Sequence, residues 1–343
     1  MTQSRTEIAT LGEFGLIHRL SEGFQPALPD TVRGIGDDAA VMDLGGEYGL
    51  ITTDMLVEGV HFDLAFSPLR HLGYKAISVN VSDIAAMNGI PHQVVVGLGL
   101  SNRFSVEAVE EIYAGVKAAC EDFKVDLVGG DTTSSRSGLI ISVTVFGKVA
   151  KEKVAYRNTA RPNDILCVTG DLGSAYMGLQ ILEREKQVYM ANPNMQPELE
   201  GKDYVVQRQL KPEARMDVVY ELEEAGVVPT SMIDVSDGLA SEILHICSQS
   251  KVGAILVEEN LPIDEQTFLV STELNLDPVT AAMNGGEDYE LLFTIRQDDY
   301  NKVKNNPKIS FIGYITDKAG EVILNTKGGN RYPITAQGWN HFS

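Results

Sequence analysis

The chain has 343 residues, 43% hydrophobic and 22% charged, which is ordinary globular composition and excludes a disordered, collagenous or coiled-coil whole. Its 48 Asp and Glu against 28 Lys and Arg give a net charge of −20, so nucleic-acid backbones and anionic membranes are repelled unless metal ions intervene. Along the chain, short apolar runs alternate with helical periods. Residues 48–54, 93–100, 125–131 and 139–147 read as strands. Val106, Val109, Ile112, Val116, Ala119 and Phe123 recur every three or four residues and predict an amphipathic helix. Glu107, Glu110 and Glu111 lie in its first turns, where the helix dipole favours acids. Lys75 opens a further helical stretch and is given no role in a site.

Basic and turn-forming residues interrupt the pattern at 148–164 and suggest a domain break, giving domains at 1–149 and 150–343. A strand at 164–169, a glycine turn and a helix at 174–186 open the second unit. The segment 190–203 holds two prolines and few apolar residues and reads as a surface loop. A strand at 231–235, a helix at 238–249 and strands at 252–257 and 290–295 follow, and the tail ends in strand and loop at 309–315 and 331–343. The expected class is α/β (α+β).

Three isolated cysteines, Cys120, Cys167 and Cys247, form no CxxC pair, which fits a reducing compartment and disfavours zinc or an iron–sulfur cluster. No apolar run reaches the ~18 residues of a membrane span, and the first residues lack the apolar core of a signal peptide. The expected location is cytoplasmic.

The acids are grouped. Asp37 and Asp38 lie in GIGDDAAV, Asp54 ends TTD, Asp83 lies in NVSD, and Asp131 ends VGGD. Asp234 and Asp237 lie in IDVSDG, and Glu287 and Asp288 in NGGEDYELLF. All nine lie within two residues of Gly, Ser or Thr next to a strand-like apolar run. A single Asp there commonly caps a turn. Nine in one context point to a ligand site at strand ends, where gathered carboxylates require cations. Oxygen-only donors select hard ions such as Mg²⁺, which commonly accompany phosphates. No Walker P-loop, strand-borne GxGxxG or GxSxG elbow is present. Gly170-Asp171-Leu172-Gly173-Ser174 is either a phosphate cradle or a tight strand-to-helix turn.

GIGDDAAV, TTDMLVEGVHF, KAISVNVSDIAAMNGIP, GGDTT, DVSDGLA and GGEDYELLF occur in this order, with a terminal GWNHF. Together they resemble the thiamine-monophosphate kinases, a family of the aminoimidazole ribonucleotide synthetase and selenophosphate synthetase superfamily. The likeness runs from about Gly12 to His341. It implies an N-terminal ATP- and Mg-binding domain that dimerises through a shared β-barrel, and a C-terminal α/β domain closing over the site. The implied reaction is direct in-line transfer from ATP to thiamine phosphate, giving thiamine diphosphate and ADP and assisted by several Mg²⁺ ions.

On the matching motifs the resemblance implies metal ligands at Asp37, Asp38, Thr52, Thr53, Asp54, Asp83, Asp131, Asp234 and Asp237. It implies nucleotide contacts at Tyr113, Gly130, Asp131, Arg157 and Ser236, and thiamine phosphate contacts at His61, Glu287 and Trp339. No general base is assigned, because the attacking phosphate oxygen is already ionised near pH 7. Two departures stand out: Asn88 precedes Gly89 where Met-Gly-Ala is usual, and Asn163 replaces a glycine after Arg157. Asn tolerates positive φ, so both turns are expected to survive. Two rival readings are an amidine-forming ligase of the same superfamily and a non-enzymatic acidic cation binder. Without an EF-hand pattern and with acids at strand ends, the second is disfavoured.

Overall fold

A computed structural model describes residues 8–335. Its first half holds α1 (Gly12–Ser21), β1 (Thr31–Arg33), β2 (Ala40–Asp43), β3 (Tyr48–Val57), α2 (Leu69–Ala86), β4 (Ile90–Leu100), α3 (Val106–Phe123), β5 (Asp126–Ser134) and β6 (Ile140–Val149). The six strands form one sheet in the order β1-β2-β3-β6-β4-β5. The second half runs β7 (Ile165–Thr169), α4 (Ser174–Ala191), α5 (Asp203–Leu210), α6 (Met216–Glu224), β8 (Ser231–Val235), α7 (Leu239–Ser250) and β9 (Gly253–Val257). It continues with α8 (Glu265–Glu273), α9 (Pro278–Asn284), β10 (Glu290–Ile295), β11 (Ile309–Thr316), β12 (Val322–Asn325) and β13 (Arg331–Pro333). These seven strands pair as β13-β12-β9-β11-β7-β10-β8. Only β4–β5 and β9–β12 are parallel among the described pairs. The expected mixed α/β class is the one observed. Among the described residues of a single chain the first sheet stays open and no barrel closes.

The periodic segments fall where their patterns place them. Helix α3 starts at Ser105, whose Oγ accepts from the Ala108 amide at 3.3 Å, and ends at Lys124 in the left-handed region (φ +56°). Helix α4 outruns its expected end at 186 because nothing breaks it before Asn192-Pro193. Asn88 and Asn163 take φ of +55° and +74°, so both asparagines serve as glycine substitutes.

Helix α2 has a weak signature in the sequence and a large part in the architecture. Fourteen of its 18 residues are buried, so it lacks a polar face and the stripe that would mark it as a helix. It crosses α3 at backbone contact. A Cβ on Gly73 would sit 1.9 Å from the Ile112 carbonyl oxygen, and one on Gly115 would sit 1.8 Å from the Arg70 carbonyl oxygen. Glycine at both positions is therefore a packing requirement.

One apolar cluster joins the two halves. It runs from Leu50, Ile77, Val96 and Val143 to Met216, Leu222, Met232 and Phe293. A second, with Leu166, Val235, Leu239, Ile243 and Leu256, fills the other face of the seven-stranded sheet. Strand β5 is exposed at all nine residues, including Leu127 and Val128.

Candidate active site

The site is organised by the last turns of α2. Asn80 Oδ1 accepts from the Asp54 amide at 2.9 Å, while its Nδ2 donates to the Ala76 carbonyl at 3.0 Å. Ser82 Oγ donates to Asp234 Oδ2 at 2.7 Å. Asp83 Oδ2 accepts from Thr52 Oγ1 at 2.5 Å. Strand alternation explains the partners on β3. Leu50, Thr52, Asp54 and Leu56 turn inward toward α2, while Ile51, Thr53 and Met55 are exposed. Asp234 lies near the end of β8 and Asp38 in the turn before β2. Carboxylate oxygens of Asp38, Asp83 and Asp234 come within 4.8 Å of one another.

This proximity is electrostatically costly. Burial, then the charges of Asp54, Asp234 and Asp38, hold Asp83 well above the usual carboxylate range. Burial and Asp38 push Asp234 up to about 8. Asp54 rises to about 6 through burial and Asp38, against a hydrogen bond with Asp83 that lowers it. Glu242 on α7 is wholly buried behind them and is raised by burial and by Asp237 and Asp234; its Oε1 accepts from the Asp237 amide at 3.2 Å. Against these acids stands Arg157. Its Nε and Nη2 grip Asp38 Oδ2 and Oδ1 at 2.9 and 2.5 Å, and its amide donates to Asp37 Oδ1 at 3.2 Å. Arg33 Nε meets Asp37 Oδ2 at 2.7 Å. Burial raises Asp37 to about 6 despite these cations. In this structure Arg157 thus neutralises a candidate metal ligand.

A cation fits the donor set. Mg²⁺ takes oxygen ligands at about 2.0–2.1 Å, so its neighbouring ligand atoms lie ~3 Å apart and opposite ones ~4 Å apart. Asp38, Asp83 and Asp234, with the Thr52 hydroxyl beside them, need only a small contraction to reach that spacing. No sulfur or imidazole enters the group of three.

The residues expected at the acceptor lie nearby in sequence motif but in a different setting. His61 Nδ1 accepts from the Val57 amide at 3.0 Å, which leaves the proton of the neutral ring on Nε2. Glu287 occupies a left-handed backbone position (φ +66°) in loop 285–289. The Glu287 amide donates to the Ser236 carbonyl at 2.7 Å and the Tyr289 amide to the Val235 carbonyl at 2.9 Å, tying this loop to the SDG turn. Ser236 therefore enters through its backbone.

Several expected residues stand apart. Thr53 lies on the exposed face of β3 and donates to the Val143 carbonyl at 2.9 Å. Gly130 shares a row with Asp54, Val143 and Val96, whereas Asp131 lies in the next row with Gly97 and Ser142, exposed on β5. A cavity of about 350 Å³ lined by Gly97, Asp131, Thr133 and Ser142 opens there. Tyr113 is half-buried against the main core. Trp339 lies outside the described residues. Asp288 is fully buried and accepts from the Gly173 and Ala175 amides at 2.7 and 3.2 Å, so it caps α4. The Gly170–Ser174 segment is accordingly a capped strand-to-helix turn whose leading amides are taken by protein. Asn80, Ser82 and Glu242 were not singled out in the sequence, since each lies within a helix and finds its partner only through the fold.

Comparison with known proteins places this geometry. Residues 36–149 match the family model of the AIR synthase related protein, N-terminal domain. The thiamine-monophosphate kinase of Bacillus subtilis (strain 168) is 34% identical, with 97% of this chain and 100% of that protein covered. The thiamine-monophosphate kinase of Aquifex aeolicus (strain VF5) is also 34% identical, over 97% of this chain and 98% of its own. Among solved structures, AaThiL complexed with AMPPCP and TMP superposes with a TM-score of 0.83 at 32% identity, covering 99% of this chain and 100% of that one.

Proposed function

Because the chain belongs to the thiamine-monophosphate kinase family, we propose that it transfers the γ-phosphoryl group of ATP to the phosphate of thiamine phosphate by in-line displacement. It is a kinase, a phosphotransferase with a phosphate group as acceptor, in thiamine diphosphate biosynthesis. The observation that carries the reading is the convergence of Asp38, Asp83 and Asp234 beside a single arginine. Phosphoryl transfer asks the protein for positioning and charge neutralisation more than for covalent chemistry. Mg²⁺ bound by Asp38, Asp54, Asp83 and Asp234, with Asp37 and Asp237 adjoining, would supply that neutralisation between the two substrates.

The chain's own residues hold the frame. Asn80 and Ser82 fix Asp54 and Asp234, and Thr52 fixes Asp83. Arg157 is placed to pass from Asp38 to a phosphate oxygen, an exchange of one bidentate anion for another. His61 contacts the acceptor, with Glu287 an anionic partner and Trp339 a flat face for the thiazolium. Gly130 and Ser236 serve the nucleotide, with Tyr113 and Asp131 beside it, whereas Thr53, on the face of β3 opposite Thr52 and Asp54, is left out of the metal ligands. The acceptor phosphate supplies its own nucleophilic oxygen, which leaves no work for a general base.

In this reading residues 1–149 form the nucleotide and dimerisation domain and 150–343 the domain that closes over it. The homodimer forms on β5, whose exposed edge and apolar Leu127 and Val128 are available for pairing into a shared barrel. No described helix is long and apolar enough to cross a membrane, and the enzyme works in the cytoplasm. Incubation with Mg-ATP and thiamine phosphate, followed by chromatography, tests the reaction. Thiamine diphosphate and ADP should form from thiamine phosphate, and free thiamine should not react. Equal turnover of free thiamine would refute it.

A further inference from the structure

We propose that Lys75 and Gln209 are positioning residues that clasp Glu287 and thereby set affinity for the thiamine end of the acceptor; this rests on the kinase reading. Lys75 Nζ lies 2.7 Å from Glu287 Oε1, and its side chain is only 4% exposed. Lysine is almost never buried to this degree without a partner. Gln209 Nε2 donates to Glu287 Oε2 at 2.6 Å, and Lys75 Nζ also donates to the Gln209 carbonyl at 3.3 Å. The three residues come from α2, α5 and loop 285–289, so the clasp ties the six-stranded half of the molecule to the loop that follows α9.

Three features separate this arrangement from an incidental ion pair. Glu287 and Tyr289 both adopt positive φ without being glycine, a conformation that persists only where its surroundings over-determine it. Here Ser236, Val235 and the Asp288 cap fix the backbone, leaving only the Glu287 side chain to be aimed. Gln209 aims it at the expense of its own Oε1, which is buried with no hydrogen-bond partner; a carboxylate neighbour accepts only, so the amide must present its nitrogen. Finally, the clasp does not saturate its target. Each Glu287 oxygen has one side-chain partner and room for a second, and the Glu287 side chain remains 26% exposed. An oriented, charge-compensated carboxylate with open acceptor sites suits a ligand that brings N–H donors, and the aminopyrimidine of thiamine phosphate carries them.

The test is steady-state kinetics of the full-length enzyme with K75M, Q209L, E287Q and K75M/E287Q. Losing a hydrogen bond to a charged group predicts a roughly 10-fold higher KM for thiamine phosphate in K75M, and a smaller rise in Q209L, with KM for ATP within about twofold. K75R should recover part of the loss. The double variant should be no worse than E287Q, because Lys75 acts through Glu287 alone. If K75M fails to fold, Q209L carries the same prediction. Equal rises in both KM values, or additive losses in the double variant, would overturn the clasp. A wild-type enzyme that makes no thiamine diphosphate overturns the kinase reading and the clasp with it, whereas an active wild type with K75M and Q209L unchanged overturns the clasp alone.

Discussion

Two buried acidic regions flank the loop 285–289, and they balance their charge differently. Behind β10, Glu290 is fully buried and meets Arg208 Nη2 at 2.8 Å, Arg215 Nη1 at 3.4 Å and Thr169 Oγ1 at 2.5 Å. Asp288 beside it is held by two helix amides, and Asp171 is bound by the Tyr204 hydroxyl. On the other side, Asp38, Asp54, Asp83, Asp234 and Glu242 face one guanidinium, that of Arg157. The first region supplies its own countercharge and is finished as folded. The second sets one guanidinium against five carboxyl groups, and the buried acids hold their protons above the usual range, because ionised neighbours 4 Å apart would repel by about 4 kcal/mol at an effective dielectric of 20. On the proposed function, Mg²⁺ and the substrates' phosphates enter where this shortage of cations lies.

The comparison breaks most sharply through substitution. Asp83→Asn and Asp234→Asn should each lower kcat by roughly 10²–10³-fold, the worth of a few kcal/mol of transition-state charge stabilisation. Neither should lower the melting temperature of the Mg-free protein, because each removes a carboxyl whose ionised form the fold disfavours. Glu290→Gln should do the reverse. It takes from Arg208 its carboxylate partner and leaves Arg215 with Asp217 alone, at a cost of about 3 kcal/mol seen in urea unfolding. If both classes of variant lost stability alike, the distinction would be void.

A pH series sharpens the same point. Asp54, Asp83 and Asp234 hold their protons more tightly folded than unfolded. From the ordinary carboxylate pKa near 3.8 up to about 8, the folded state therefore binds more protons than the unfolded chain, and stability falls as pH rises. The Mg-free melting temperature should drop between pH 5.5 and 8.5, and added Mg²⁺ should restore more of it at pH 8.5 than at pH 5.5. A flat profile would argue against the cluster. The smallest effect belongs to Asp288→Asn, which weakens a helix cap. It should cost about 1 kcal/mol in stability with kcat close to wild type.

The comparison also shows how far residues alone can be read. Strands β8 and β10 coincide with their apolar runs, and α3 declares itself by its stripe and its Ser105 cap. Helix α2 does so only in part: the stretch opened by Lys75 reads as helical, but burial on all sides erases the period that would mark its bounds. The convergence of Asp38, Asp83 and Asp234 was legible, since Gly or Ser lies within two residues of each beside an apolar run. The division of the later acids was not: Glu287, Asp288 and Glu290 are near neighbours in one motif, yet one enters the clasp, one caps α4 and one closes an ion network. Which partner each finds depends on Lys75, Gln209, Arg208 and Arg215, which approach from remote segments. Glu242 and the pairing of Arg157 with Asp38 are equally products of tertiary contact.

The central claim is that the acid cluster is a multi-cation site serving two phosphate-bearing substrates. The most direct measurement holds Mg-ATP and thiamine phosphate saturating and titrates free Mg²⁺ while following thiamine diphosphate formation. The charge deficit predicts a rate that keeps climbing steeply well past one Mg²⁺ per ATP, and Asp234→Asn should flatten the climb. A rate already at its plateau at one Mg²⁺ per ATP, in an enzyme that turns over thiamine phosphate, would contradict it.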